Sequence, residues 1–382
     1  MPSVQERFQQ QFALTPKLFR APGRINLIGE HIDYHNGYVF PAAVHFQLDF
    51  AVGPAEGDTG TLVANDLDRS VSYRLEELTP GPETWANYLL GVMAQLKGAG
   101  YQFPPVNVVF GGDIPFGAGL SSSAAVECGL ALALDDLFDL GIDRMQLAQF
   151  AQAAEHTFVG VQCGLMDQFA SLFGKTNHLV RLDCRSLDYE YFPFPGEEWG
   201  LVLIDTKVEH ALADGGYNKR RKESEDGLAA IQALFPEVKS LRDVAPDQLE
   251  AAKGDMSEVS YRRCGYVLAE IQRVLEASEA LQQGDMSALG QLMYGSHQGL
   301  QYEYEVSCPE LDFLVDQTRD MPKVKGARMM GWGFGGCTIN LVAKADVNEV
   351  AEQLRQAYVN QYQSEPGVYI TQISEGASAA DL

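Results

Sequence analysis

Basic residues are scarce in this chain, and the shortage limits the kinds of partner that it can bind. Lysine and arginine number 28 against 52 aspartates and glutamates, which leaves a formal net charge of -24 at pH 7. Nucleic acids and anionic membrane surfaces require a basic footprint that neutralises their phosphates. We therefore expect neither as a partner. A small anionic ligand stays compatible with this charge, because a few local donors and a divalent cation suffice to hold it.

Cysteine is also scarce, and apolar runs are short. The six cysteines form no CxxC pair and are irregularly spaced, which favours free thiols over disulfides or a zinc site. No apolar run approaches the ~20 residues of a membrane-spanning helix, and the start, MPSVQERFQQQF, lacks the apolar core of a signal peptide. We expect a cytoplasmic protein without a membrane partner. Its 382 residues, 46% of them apolar, predict a globular chain with two domains.

Strand-like and helix-like segments are mixed along the chain, which favours an α+β fold with two lobes. Residues 38–54 are rich in Val and Phe and predict strands, whereas residues 217 to about 320 have a mostly helical pattern. Proline and glycine cluster at residues 192–199, which predicts a boundary between an N-terminal lobe, 1–192, and a C-terminal lobe, 193–382. A cleft between two lobes is a common place for a ligand.

The stretch PFGAGLSSSAAVECGLALA, residues 115–133, places a glycine-rich loop before an apolar helix. It has neither the Lys-Ser or Lys-Thr pair of a Walker loop nor the third glycine of a dinucleotide fingerprint. Small residues let backbone N–H groups approach an anion, and the helix N-terminus adds its positive dipole end. Serine hydroxyls can donate to phosphate or ligate Mg²⁺. The stretch predicts either a triphosphate site or an ordinary capped turn, and alone it does not decide between them.

Two other segments concentrate polar groups. Residues 21–38, APGRINLIGEHIDYHNGY, hold acid, imidazole and guanidinium groups close together, which suits the recognition of several sugar hydroxyls at once. Residues 153–169, AAEHTFVGVQCGLMDQF, contain Glu155 and Asp167. One of these carboxylates could hold Mg²⁺ while the other orients or deprotonates a hydroxyl nucleophile. A polar loop with a satisfied salt bridge and ordinary surface or capping acids are the alternative interpretations.

Together, these segments resemble the motifs of the GHMP small-molecule kinases, in their sugar-phosphorylating branch. GRINLIGEHIDY is similar to the sugar motif of that branch, GAGLSSSAA to the phosphate motif, CGLMDQF to the catalytic-aspartate motif, and GARMMGWGFGGCTINLV to the third glycine motif. The four motifs follow in the family's order and span nearly the whole chain. The resemblance implies the two-lobed α+β GHMP kinase fold, with the active site in the cleft between the lobes.

The resemblance also implies roles for individual residues. It makes Asp167 and Arg24 catalytic at the anomeric hydroxyl of the sugar, and it makes Ser123 and Glu155 the ligands of Mg²⁺. The implied sugar contacts are Glu30, His31, Ile32, Asp33, Gly164 and Tyr217. The implied ATP contacts are Trp85, beside the adenine, and Gly117, Ala118, Gly119, Leu120, Ser121, Ser122 and Ser123, around the phosphates.

The implied activity is the ATP-dependent phosphorylation of D-galactose at its anomeric 1-hydroxyl, a step of galactose metabolism in the Leloir pathway. A 1-kinase for N-acetylgalactosamine or L-arabinose is the near alternative, and a sensor that binds sugar and ATP without turnover is the distant one. The intact GLSSSAA loop and the presence of Asp167 favour the enzyme. We expect a monomer that binds a small sugar and ATP.

Three positions depart from the usual family pattern and concern the substrate more than the reaction. Ile32 stands beside Asp33 where threonine is frequent, and isoleucine also occurs there in relatives that phosphorylate N-acetylgalactosamine. Trp332 replaces a usual small residue in the third glycine motif, and Met330 stands where a small polar residue is common. A bulky ring at Trp332 is expected to reshape the loop near the sugar and the nucleotide.

Overall fold

The computed structural model describes residues 2–209 and 213–380 of the chain. Within these ranges the chain forms three sheets and eleven α-helices, which confirms the α+β class. The strands are β1 (Lys17–Asn26), β2 (Tyr38–Val39), β3 (Pro41–Pro54), β4 (Thr59–Ala64), β5 (Arg69–Arg74), β6 (Val106–Gly112), β7 (His178–Asp183), β8 (Tyr189–Pro193), β9 (Trp199–Glu209), β10 (Val324–Met330), β11 (Gly335–Ala343), β12 (Gly367–Thr371) and β13 (Ser378–Ala379). The helices are α1 (Val4–Phe12), α2 (Thr84–Gly98), α3 (Ser122–Phe138), α4 (Arg144–Ala154), α5 (Met166–Phe173), α6 (Ala213–Leu234), α7 (Pro246–Ala251), α8 (Glu258–Gln283), α9 (Met286–Gln298), α10 (Pro309–Arg319) and α11 (Val347–Tyr362).

The six-stranded sheet carries the N-terminal motifs. Its strand order is β13-β1-β3-β6-β4-β5, and every pairing is antiparallel except that of β4 with β6. Successive strand residues point to opposite faces, so Leu18 and Val109 pack with Phe8 of α1, whereas Phe19 and Phe50 join the main core. Helices α3 and α5 lie against that second face. The sheet is therefore covered on both faces, by α1 on one and by α3 and α5 on the other, and the loop that leads into α3 starts from this packed core.

A four-stranded antiparallel sheet, β10-β11-β9-β12, carries the third glycine motif in the connection between β10 and β11. Helices α9 and α10 pack against β10, and α11 packs against β9 over a separate apolar cluster that includes Ile204 and Leu354. A small sheet, β2-β7-β8, completes the set. The predicted strands at 38–54 and the helical pattern from residue 217 are confirmed. The boundary between lobes at residue 192 stays a prediction.

Close backbone contact fixes the glycine-rich loop, residues 117–123 and called the serine loop from here on, against the six-stranded sheet. The N–H of Arg24, in β1, donates to the carbonyl oxygen of Leu120 at 2.9 Å. A Cβ at the neighbouring Gly23 would lie only 2.7 Å from that same oxygen, so a side chain at this position would push the loop away. The sugar motif and the phosphate motif are thus joined directly by β1. Among the described helices, none is long and apolar enough to cross a bilayer.

Candidate active site

The predicted site residues meet around a cavity of about 290 Å³. Its wall is formed by Arg24, Glu30, His31, Asp33, Tyr88, Pro115, Gly117, Gly119, Leu120, Ser121, Ser122, Ser123, Glu155, Val161, Cys163, Gly164, Met166, Asp167, Tyr217, Gly331 and Trp332. Four sequence motifs that lie far apart along the chain therefore contribute to one concave site. This arrangement suits a small ligand that several polar groups recognise together.

Asp167 and Arg24 form a bidentate ion pair in the cavity wall. Arg24 Nε donates to Asp167 Oδ1 at 2.7 Å, and its Nη2 donates to Oδ2 at 2.9 Å. The third guanidinium nitrogen, Nη1, donates to the carbonyl oxygen of Gly119 in the serine loop. The Arg24 side chain is 6% exposed and that of Asp167 is 26% exposed. Arg24 therefore fixes the carboxylate and links it to the loop, while part of Asp167 stays open to the cavity.

Ser121 gives the serine loop a role beyond capping. It occupies the N-cap position of α3 with a left-handed φ of 57°, and its side chain makes no capping hydrogen bond. Its Oγ instead donates to Asp167 Oδ2 at 2.5 Å. The ordinary capped turn therefore does not account for this serine. Ser122 and Ser123, in the first turn of α3, line the cavity where the helix N-terminus leaves backbone N–H groups without intrahelical partners.

Glu155 is a buried acid in the same wall. It follows α4 at the start of a single π-helical turn, Glu155–Val159, and it is 8% exposed. Gln168 Nε2 donates to its Oε2 at 2.9 Å, and Cys163 Sγ lies 3.5 Å from the same oxygen. Burial, followed by the nearby charge of Asp167, raises the pKa of Glu155 above its usual value. The acid is thus not a surface residue, and although it stands at the C-cap of α4 its side chain faces the site, where a bound cation would stabilise its charged form.

An aromatic network holds His31 at another part of the wall. Its Nε2 lies 2.9 Å from the carbonyl oxygen of Trp332, and its Nδ1 lies 2.8 Å from the hydroxyl of Tyr34. Burial lowers the pKa of His31 to about 4, so the imidazole is neutral near pH 7. Because a carbonyl only accepts, Nε2 donates to it and Nδ1 accepts from Tyr34. Tyr304 lies 2.9 Å from the Tyr34 hydroxyl, and the Tyr217 ring lies 5.3 Å from that of His31.

Asp33 and Gly164 are in direct contact. Burial, followed by the charge of Asp167, raises the pKa of Asp33 to about 7. Its Oδ1 accepts a hydrogen bond from the backbone N–H of Tyr34 at 3.0 Å. A Cβ at Gly164 would lie 1.9 Å from Asp33 Oδ2, which is far inside van der Waals contact. The absence of a side chain at Gly164 is therefore what allows the carboxylate to occupy its place in the wall.

Glu30 is held from the second sheet. Arg328, in β10, is fully buried, and its Nη1 donates to Glu30 Oε2 at 2.8 Å. Its Nη2 contacts the same oxygen, while Asn26 Nδ2 lies 3.3 Å from Oε1. Arg328 also donates to the carbonyl oxygen of Leu27, the residue after β1, and to that of Met329 in its own strand. Glu30 is therefore held rigidly at the edge of the cavity; burial raises its pKa, and the Arg328 guanidinium opposes that shift.

A second, more apolar cavity of about 140 Å³ adjoins the first. Trp85 and Tyr88 of α2 line it together with Phe110, and Ser122 and Ser123 belong to the walls of both cavities. Trp85 thus lies near the serine loop but is not part of the main cavity, and its expected place beside the adenine stays a prediction. Phe116, 66% exposed, lines the same apolar space.

Two predicted site residues, Ile32 and Ala118, do not line either cavity, and their contacts with ligands stay predictions. The side chain of Ile32 is fully buried in the core. It packs against the backbone of Gly37, where an added Cβ would lie about 3 Å from it. It therefore offers no side-chain contact to a sugar. The side chain of Ala118, within the loop itself, is also fully buried. Met330 is a core residue, whereas Trp332 is 50% exposed and lines the main cavity.

Sequence reasoning missed several residues that shape the site. The partners of its acids, Arg328 and Gln168, stand inside quoted motifs, so the motifs held a signal that was not used. Tyr88 lines both cavities but carries no motif, because its neighbours along α2 give an ordinary apolar helix pattern. Cys163 also lines the main cavity; it is the first residue of the quoted motif CGLMDQF, but no role was predicted for it.

Three family models match the chain in separate segments. The model described as "Galactokinase galactose-binding signature" matches residues 6–54. The model "GHMP kinases N terminal domain" matches residues 87–175, and "GHMP kinases C terminal" matches residues 277–360. Together with the α+β fold and the glycine-rich loop against α3, they define a small-molecule kinase of the GHMP type.

Similarity to whole proteins narrows the class. The galactokinase of Roseiflexus sp. (strain RS-1) is 38% identical over 374 residues, covering 98% of this chain and 95% of the relative. The galactokinase of Thermotoga petrophila is 40% identical over 341 residues, covering 89% of this chain and 93% of the relative. The chain belongs to the galactokinase family.

Solved structures agree with this assignment. The crystal structure of Lactococcus lactis galactokinase complexed with galactose superposes with a TM-score of 0.94 at 33% identity, covering 99% of both chains. The mevalonate kinase of Methanococcus jannaschii has a TM-score of 0.64 at 17% identity, over 94% of this chain and 99% of that one, and this similarity shows the fold alone. The chain is therefore an enzyme of the sugar kinase type.

Proposed function

We propose that this protein transfers the γ-phosphoryl group of ATP to the anomeric 1-hydroxyl of D-galactose. The observation that carries the proposal is the Arg24–Asp167 ion pair, whose carboxylate is partly open to a cavity shared with the serine loop. A hydroxyl nucleophile at Asp167 would lie beside the groups suited to hold phosphate. Phosphoryl transfer depends chiefly on such placement and on charge neutralisation, to which the Arg24 guanidinium and the N-terminus of α3 would contribute.

Asp167 and Arg24 would share the work at the attacking oxygen. The carboxylate accepts the hydrogen bond of the anomeric hydroxyl and so orients it, or takes its proton as the phosphoryl group arrives. Ser121 and Arg24 keep the carboxylate in one orientation by occupying both of its oxygens. The guanidinium charge would also favour the developing negative charge on the sugar oxygen. This arrangement uses binding geometry rather than a covalent intermediate.

The rest of the cavity wall would read the other sugar hydroxyls. Glu30 and Asp33 are acceptors, His31 and Tyr217 lie together, and Gly164 leaves the room that Asp33 needs. A pocket that hydrogen-bonds hydroxyls rejects a sugar whose inverted hydroxyl leaves buried groups unpaired. Each unpaired group costs about 1–3 kcal/mol, or roughly 10-fold or more in selectivity. We propose galactose over glucose on this basis.

Mg²⁺ fits the oxygen-rich part of the wall. Among the described residues no group of three or more His, Cys, Asp or Glu side chains is arranged to hold a metal. Ser123 and Glu155 would therefore hold the ion together with the phosphates of ATP and water, as is usual for Mg²⁺. When bound, it would neutralise charge on the phosphate oxygens.

The apolar second cavity would receive the adenine of ATP. It adjoins the main cavity at Ser122 and Ser123, so a nucleotide there would place its phosphates at the N-terminus of α3. Trp85, Tyr88 and Phe116 provide the aromatic surface. Base stacking on such rings is a common source of nucleotide affinity.

A panel of free sugars tests the proposal. Release of ADP from ATP and Mg²⁺ is measured with galactose, glucose, L-arabinose and N-acetylgalactosamine, and kcat/KM is compared. We expect galactose to lead and glucose to be at least about 10-fold poorer. If kcat/KM for N-acetylgalactosamine equals that for galactose, the proposed substrate is wrong, while the sugar 1-kinase proposal stays intact. Sugar and ATP binding without ADP release would favour the sensor.

A further inference from the structure

One buried amide joins two carboxylates behind the cavity wall. Gln168, in α5, is fully buried, and its Nε2 lies 3.0 Å from Glu127 Oε2 and 2.9 Å from Glu155 Oε2. A primary amide nitrogen carries two hydrogens. Both are therefore used, one on each carboxylate. We refer to Glu127, Gln168 and Glu155 as the amide bridge.

Glu127 is the member of the amide bridge that has no role in the proposed catalytic or binding site. It is fully buried in α3 and does not line either cavity, whereas Glu155 lines the main one. Its neighbours in α3, Val126 and Cys128, are apolar and buried. Burying a carboxylic acid costs free energy that an apolar side chain of similar size would not. Packing of α3 therefore gives no reason for an acid at this position.

The bridge acts on one oxygen of Glu155 and leaves the other available. Gln168 and Cys163 both approach Oε2, and no partner for Oε1 is seen among the described residues. Ser123 stands one helical turn before Glu127 on α3, so both lie on the same side of the helix. The bridge thus ties the helix that carries Ser123 to the side chain of Glu155.

We infer that Glu127 is a positioning residue that acts through Gln168 to fix the Glu155 carboxylate for a divalent cation bound with nucleotide. This inference rests on the proposed function, in which Ser123 and Glu155 are the metal ligands. Without an acceptor at Glu127, the Gln168 amide loses one of its two anchors and is free to rotate. Glu155 then loses a fixed orientation, and the cation must order it on binding.

Binding of Mn²⁺ in the presence of ADP tests this without turnover. The free-Mn²⁺ signal in electron paramagnetic resonance is titrated with the full-length protein, without sugar. We expect Glu127→Leu and Gln168→Met to weaken Mn²⁺ binding at least 5-fold. Glu127→Gln keeps an acceptor oxygen for the amide and should stay within 2-fold of the parent. Leu130→Ala, a buried change on the same helix, controls for general destabilisation and should leave the affinity unchanged.

Steady-state kinetics gives a second measure of the same effect. The Mg²⁺ concentration for half-maximal rate should rise in Glu127→Leu, while the KM for galactose stays near that of the parent. If Glu127→Leu does not fold, Glu127→Asp, which retracts the carboxylate by one methylene, must show a smaller shift in the same direction. If folded Glu127→Leu and Gln168→Met variants bind Mn²⁺ as tightly as the parent protein, the inference is overturned. Failure of the parent itself to bind Mn²⁺ with ADP would instead contradict the metal site of the proposed function.

Discussion

Replacing Gly164 with alanine changes the site by a distance that follows from the structure. The added Cβ would lie 1.9 Å from Asp33 Oδ2, whereas ordinary contact begins at 3.4 Å. The carboxylate must therefore move by about 1.5 Å, the difference between the two. Misplacing a group at a reacting centre by ~1 Å can cost ~100-fold. We expect kcat/KM for galactose to fall by roughly 10-fold to 100-fold and the clash to cost about 1–3 kcal/mol of folding stability.

The assay is ADP release with galactose, accompanied by the melting temperature of each variant. Gly265→Ala is the matched control, because a Cβ at that helical glycine would meet no atom within 4 Å. It should keep parental activity and not lower the melting temperature. In a background of Asp33→Ala, the Gly164→Ala change should add almost nothing, since the displaced group is gone. A folded Gly164→Ala variant with parental kcat/KM would show that Asp33 is not needed where the structure has it.

Three further substitutions test separate parts of the site. Asp167→Asn should lower kcat by about 100-fold or more and destabilise the fold by about 1–3 kcal/mol, because Arg24 loses its charged partner. Asp68→Asn, at an exposed ion pair, is the control. A folded Asp167→Asn variant within a few-fold of parental kcat would refute the catalytic role of Asp167. Glu155→Gln should raise the Mg²⁺ concentration needed for half-maximal rate, and full parental activity in excess EDTA would contradict any metal requirement. Asp33→Asn should raise the melting temperature of the ligand-free protein more at about pH 8 than at about pH 5.5. The folded-state pKa of Asp33, about 7, exceeds the ordinary 3.8, so the cost of burying its charge is absent below pH 3.8 and complete above pH 7. An equal gain in melting temperature at both pH values would contradict the raised pKa.

The sequence predicted the members of the site better than their partners. Motif order placed Arg24, Glu155 and Asp167 in one cleft, and all three do line the main cavity. The partner of Glu30 was not predictable, because Arg328 reaches it across 298 residues of sequence separation. Pairing of side chains on different strands depends on the register of both sheets, and no local pattern encodes it.

Ile32 shows a different limit. Its residue type differs from the usual family pattern, and that difference alone suggested a changed substrate. The structure instead has the side chain in the core, fully buried. One residue in a turn can point either way, and periodicity does not decide this over so short a segment. Trp332, which also departs from the family pattern, does line the main cavity, so its side chain can affect the substrate. The expected cytoplasmic location and monomeric state stay predictions.

The identity of the product tests the central claim most directly. The protein is incubated with galactose, ATP and Mg²⁺, and the mixture is followed by ³¹P nuclear magnetic resonance. The account predicts a new phosphate ester signal coupled to the anomeric proton of the sugar, growing in step with ADP and absent with Asp167→Asn. Phosphate on any other hydroxyl, or consumption of ATP without a sugar phosphate, would contradict it.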